Sequence, residues 1–119
     1  MKLHRLHGRK TSEILLRKGS LWKGKTMMIR WMRGHPKNLE KLPAGSRIYT
    51  GSAVSAKVDK SAVRRNRMRR RCREAVRTVV LEAENLPTLQ LLILPRSGSL
   101  TCDFQDIKTD VATFFSRVA

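Results

Sequence analysis

Acidic side chains are scarce in this chain: nine Asp and Glu stand against 26 Lys and Arg in 119 residues, for a formal net charge of +17. The few carboxylates do not pair in a pattern suited to general acid and base work. Two cysteines, Cys72 and Cys102, exclude a disulfide scaffold and have no metal-ligand spacing, so both are expected as free, buried thiols. His4, His7 and His35 stand without a carboxylate or second ligand at metal spacing, and Ser55 has no neighbouring base. A protein active site is therefore not expected, nor a metal or cofactor held by the protein. The longest apolar run, residues 89–95, is far too short to span a membrane. The basic N-terminus lacks the apolar core of a signal peptide, so the expected compartment is the cytoplasm.

What is present in excess is cationic charge, and it is unevenly placed. Residues 1–74 hold 22 basic and 4 acidic side chains, net +18; residues 75–119 hold 4 and 5, net −1. Like charge repels itself in a compact chain and persists where a partner neutralises it, so a polyanion is expected in a complex. The densest stretch is Arg64-Arg65-Asn66-Arg67-Met68-Arg69-Arg70-Arg71-Cys72-Arg73-Glu74. Met68, Cys72, Ala75, Val76, Val79 and Ala83 recur through it at helical spacing. The arginines thus stand on a folded helix with one buried stripe, spread over the rest of its circumference, and not on a disordered tail. Arginine suits phosphate because its planar fork bonds two oxygens at once, and Asn66 adds a directional hydrogen-bonding group.

At this length a single domain over residues 1–119 is expected. Residues 1–10 read as a basic, mobile arm. Residues 11–18 read as a short helix capped by Thr11 or Ser12 and stopped at Gly19. Period-two alternation over residues 25–33 predicts a strand, with Met27, Ile29 and Trp31 on its apolar face. Residues 34–46 form a loop, and residues 47–56 return as β-prone sequence broken at Gly51. The basic helix is entered through Asp59 or Ser61 and runs to about Glu84, before Pro87. Residues 89–94 read as a central strand covered on both faces, and a second amphipathic helix starts at Asp103. The result is an α+β sandwich of helices on a small sheet.

The triplet Arg65-Asn66-Arg67 opening the basic helix resembles the hallmark of the bacterial ribonuclease P protein family. Upstream, Gly51, Val54, Ser55, Lys57 and Val58 are similar to the family's strand leading into that helix. Downstream, residues 68–74 follow its register, and Arg5-Leu6 with residues 15–19 is similar to its first helix. The resemblance covers nearly the whole chain. It implies a four-stranded sheet with three helices in the order αβββαβα, a left-handed crossover through the basic helix, and a fold like domain 2 of ribosomal protein S5. It further implies a non-catalytic protein subunit whose RNA partner removes the 5′ leader of precursor tRNA, with magnesium ions in the RNA active site. Lys57, Arg64, Arg65, Asn66, Arg67, Arg69, Arg70 and Arg73 would then dock the catalytic RNA. DNA and membranes are not implied as partners.

The family binds the leader in a cleft between its first helix and the sheet, where aromatic rings stack on bases. Aligned on Gly19, this chain has Ser12 and Leu16 at the two usually aromatic helix positions and Arg30 at the usual strand tyrosine. With Ser55, these are the expected leader-binding positions. Stacking is weakened unless Trp31, Trp22 or Tyr49 takes it over, and Arg30 can instead stack its guanidinium or bind a phosphate. For Trp31 the shared face with Met27 and Ile29 favours the core. Two rivals share the composition: a ribosomal or ribosome-associated RNA-binding protein, and a protein-only nuclease. The Arg-Asn-Arg block disfavours the first and the missing carboxylates the second.

Overall fold

The computed structural model of the chain describes residues 3–6, 9–36 and 47–118. His7 and most of the expected loop over residues 34–46 lie outside the described residues. The strands are β1 (Leu3–Arg5), β2 (Ser20–Lys23), β3 (Met27–Arg33), β4 (Ile48–Ser52) and β5 (Leu89–Pro95). The helices are α1 (Arg9–Lys18), α2 (Ala62–Glu82) and α3 (Phe104–Val118), with a 3-10 turn at Ser97–Leu100. The strands form one sheet in the order β1-β4-β5-β3-β2. β2, β3 and β5 pair antiparallel, whereas β1 and β5 both run parallel to β4. The helix α2 makes the crossover between the parallel neighbours β4 and β5.

From α1 onward the element order is the expected αβββαβα, but the sheet has five strands where four were expected. The extra strand, β1, comes from the stretch read as a mobile arm: Leu3, His4 and Arg5 pair with Ile48, Tyr49 and Thr50. Leu6 continues the contact, its amide donating to the Thr50 carbonyl at 2.8 Å. Arg47 donates to His4 Nε2, which ties β1 to the entrance of β4.

Alternation along the strands divides the interior into two layers. Met27, Ile29, Ile48, Leu89, Leu91 and Ile93 face α2 and α3, meeting Cys72, Ala75, Val76 and Val80 from one helix and Ile107, Val111, Phe114 and Phe115 from the other. On the opposite face Tyr49 and Leu92 pack with Leu6 and with Leu15 of α1. β5 is thus covered on both faces, as its uninterrupted apolar sequence requires. Trp31 and Trp22 both join the first layer, edge-on to Phe114 with centroids 6.0 and 5.6 Å away. The core assignment of Trp31 holds.

Local chemistry sets the element ends. Ser61 caps α2, its hydroxyl accepting from the Arg64 amide at 3.3 Å, while Asp59 Oδ1 accepts from the Ser61 amide at 2.8 Å. The helix stops at Glu82, two residues short of the expected end, and Asn85 takes a left-handed φ of 58° before Pro87. The β2–β3 turn is pinned to α3 by buried Asp110, whose Oδ2 accepts from the Thr26 amide and hydroxyl at 2.7 and 2.6 Å. Gly24 is needed there: a Cβ would lie 2.6 Å from the Trp22 ring and 2.9 Å from Asp110 Oδ2.

Candidate nucleic-acid interface

The core stripe of α2, Met68, Cys72, Ala75, Val76 and Val80, leaves the rest of its surface to the arginines. The structure gives them unequal roles. Arg71 points to the 3-10 turn, donating through Nη1 to the Ser99 carbonyl at 2.7 Å and through Nη2 to the Cys102 carbonyl. Arg65 folds back on the loop before the helix, where Nη1 reaches the carbonyls of Asp59 and Lys60 at 2.9 and 3.0 Å. Arg64 sits 3.8 Å from partly buried Asp59, and because the guanidinium itself is exposed the pair is worth little. Arg69 donates to Asn66 Oδ1. Arg67, Arg70 and Arg73 are exposed and make no hydrogen bond or ion pair among the described residues. Lys57 is exposed in the turn before the helix.

Between α2 and the β1–β4 edge of the sheet runs a groove of about 990 Å³. Asn66, Arg69, Arg70 and Arg73 line it from α2, Arg5 from β1 and Ser12 from α1. Spacings of three and four put the helix residues on one side, next to the core stripe. Val76 and Ile93, nearly inaccessible, form part of its apolar floor. Glu74 is the acidic residue at its rim and is held by Arg77 at 3.2 Å. The groove therefore combines an apolar base with several cations that have no partner among the described residues.

The four expected leader-binding residues are divided. Ser12 lines the groove with the helix residues, but Leu16, Arg30 and Ser55 do not. Leu16 is 47% exposed on the last turn of α1. Arg30 lies on the α1 side of β3, and its Nη1 donates to the Gly19 carbonyl at 3.2 Å, where cationic charge favours a helix C-terminus. Ser55 is exposed in the loop after β4, its carbonyl accepting from the Val58 amide at 3.1 Å. The aromatic substitutes are occupied as well. Trp22 and Trp31 pack on Phe114, and buried Tyr49 shares a 2.8 Å hydrogen bond with His35 Nδ1. Sequence reasoning missed Arg5, because only the β1–β4 pairing carries it to the groove, and it missed the inward role of Arg71.

Burial pushes the Cys72 thiol up to about 12, despite a hydrogen bond with Ser99, and also raises Cys102, which nearby Arg71 partly offsets. Neither sulfur is an activated nucleophile.

A family model described as Ribonuclease P matches residues 1–119. The ribonuclease P protein component of Rickettsia bellii (strain RML369-C) is 35% identical over 78 residues, 64% of this chain and 64% of that protein. The chain's match thus spans just under two thirds of that relative's length. The component from Synechococcus sp. (strain JA-2-3B'a(2-13)) is 29% identical over 108 residues, covering 91% of this chain and 76% of that protein. Among solved structures, the RNase P protein of Thermotoga maritima superposes with a TM-score of 0.74 at 17% identity, covering 98% of both chains. That of Staphylococcus aureus gives 0.69 at 15% identity, covering 97% of this chain and 94% of the other. At such identities the structures speak for the fold, while the match over all 119 residues carries the lineage. A cationic helix crossing between parallel strands, opened by Arg65-Asn66-Arg67, sits in a chain that belongs to the ribonuclease P protein family.

Proposed function

We propose that this chain is the protein subunit of ribonuclease P, binding the catalytic RNA through α2 and assisting removal of the 5′ leader from precursor tRNA. The observation that carries this reading is the set of exposed arginines on α2 without partners among the described residues, Arg67, Arg70 and Arg73, beside a groove that holds Asn66 and Arg69. No described residue takes up these charges, and their mutual repulsion opposes folding. A phosphate backbone supplies the missing counter-charge, with release of its condensed cations driving association. The chemical step belongs to the RNA and its magnesium ions. The protein contributes position and charge neutralisation, which lets two polyanions, catalytic RNA and substrate, approach each other.

Reconstitution tests the reading. Wild-type protein added to the ribonuclease P RNA at low magnesium should accelerate accurate 5′ cleavage of precursor tRNA, and RNA-free protein should cleave nothing. Replacing Arg67 and Arg70 together by alanine should weaken assembly and flatten the salt dependence of log affinity by about one unit per lost phosphate contact. Copurification with ribosomal RNA and no stimulation of cleavage would favour a ribosomal protein instead. Accurate cleavage surviving nuclease treatment of the preparation would mean a protein-only enzyme.

A further inference from the structure

The groove has two walls, and α2 supplies only one of them. Opposite the helix stands β1, a three-residue strand held parallel to β4, with exposed Arg5 lining the same space as Arg69, Arg70 and Arg73. Arg5 has no hydrogen bond or ion pair among the described residues. Its side of β1 is fixed by register: Arg5 opposes Thr50 and Leu3 opposes Ile48, the positions of β4 that face α2. We infer that β1 and α2 together form a slot for a single-stranded segment of RNA, with Arg5 contacting phosphates from one wall and Arg70 and Arg73 from the other.

This rests on the proposed function for the class of polymer, and goes beyond it in naming the place, a groove away from the cleft between α1 and the sheet, and its second wall, β1 with Arg5. Three features select a single strand. A volume of about 990 Å³ is at the top of the range for small-ligand clefts, more than one phosphate needs and enough for a few nucleotides. A duplex carries its phosphates on the outside of a wide cylinder and meets a protein across an open surface, so it cannot put them between a helix and a facing strand. The lining is also divided as an unpaired strand requires. Cations stand on the walls, Val76 and Ile93 lie at the floor, and Val63, 75% exposed, offers apolar surface to a base. Ser12 and Asn66 can hydrogen-bond a ribose 2′-hydroxyl or a base edge, which favours RNA over DNA.

The experiment uses the full chain, a fluorescent unstructured oligouridylate and a blunt RNA duplex of matched charge, with Arg5→Ala, Arg5→Lys, Arg70→Ala and, outside the groove, Lys108→Ala. Arg5→Ala and Arg70→Ala should each weaken single-strand binding about threefold to tenfold and lower the salt slope by about 0.7 per lost contact. Arg5→Lys should retain most of the affinity, which separates lost charge from a displaced β1. Duplex affinity should be unmoved by Arg5→Ala. In the reconstituted holoenzyme, a defect confined to leader-bearing precursor tRNA assigns the strand to the leader, and a defect in assembly assigns it to the RNA subunit. Unchanged oligouridylate affinity of Arg5→Ala, or equal weakening of duplex and single strand, overturns the slot. Stimulation of cleavage by wild-type protein is scored separately, so the slot can fail while the proposed function stands.

Discussion

Replacing Arg71 by alanine should unfold the protein more readily without weakening RNA binding in proportion, whereas the same change at Arg70, one residue away, should do the reverse. Arg71 donates to two carbonyls, Ser99 and Cys102, which hold the 3-10 turn and the entrance to α3 against α2. A hydrogen bond from a charged donor is worth about 1.5–3 kcal/mol. Arg71 is half-buried, so water competes for it, and the pair of bonds comes to about 2–3 kcal/mol after screening. For a domain of this size each kcal/mol moves Tm by about 4 °C, which predicts a fall of about 8–12 °C. Arg70 is exposed without a partner among the described residues, so its alanine variant should stay within about 0.5 kcal/mol of wild type, or gain slightly as repulsion falls. Thermal and urea melts of both variants, beside RNA affinity at several salt concentrations, measure the contrast. If Arg71→Ala melts within about 2 °C of Arg70→Ala and loses affinity with a flatter salt slope, the two carbonyl bonds do not hold the turn and Arg71 is one more phosphate ligand.

Asp110→Ala should cost about 2–4 kcal/mol in urea unfolding at unchanged m-value, because it strands the buried Thr26 amide and hydroxyl together. Trp31→Leu should lower stability by about 1–2 kcal/mol through lost contact with Phe114 and leave discrimination between leader-bearing and mature tRNA intact. Arg30→Ala should cost about 0.5–1.5 kcal/mol for the bond to the Gly19 carbonyl; a change in leader discrimination larger than this loss would return Arg30 to the leader site. Cys72 gives stability a pH dependence on the alkaline side. With its folded value at about 12 against an ordinary 9.0, the unfolded thiol ionises first, so stability is intact below pH 9 and declines towards 12. The decline is at most about 1.4 kcal/mol per pH unit, and Cys72→Ala should remove that component from the slope of unfolding free energy between pH 9 and 10.5.

The elements readable in the sequence are those whose signal is local. α2 and α3 show their stripes, Ser61 its cap, and β5 a run of apolar residues that only a strand buried on both faces explains. β2 has four residues, three of them exposed, too few and too polar to display an alternation. β1 is harder still. Leu3, His4 and Arg5 look like part of a basic arm, and they form a strand because β4, more than forty residues further on, offers a parallel edge. The site divides in the same way. Asn66, Arg70 and Arg73 announce a shared helix side by their spacing, while Arg5 and Ser12 meet them only through tertiary structure. Arg71 differs from its neighbours in nothing but direction, and its direction matters because the turn at Ser97–Leu100 is there to receive it.

The least favourable feature of α2 as a helix is the most informative about its purpose. Its first turn carries no acidic residue and its last turn no basic one, while Arg64 and Arg65 crowd the end where the helix dipole is already positive. Asp59 and the carbonyls before the helix soften this conflict for those two residues. Among the described residues nothing comparable relieves Arg67, Arg70 or Arg73. The helix forms because Cys72, Ala75, Val76 and Val80 are buried against the sheet and α3, with Met68 fully buried on the same stripe, so packing holds in place a charge arrangement that propensity alone would reject. A local rule broken this consistently, on an element fixed this firmly, indicates a partner that reverses the sign of the effect. A polyanion does so: the same dipole and the same arginines that repel each other in the free protein act together on a phosphate backbone.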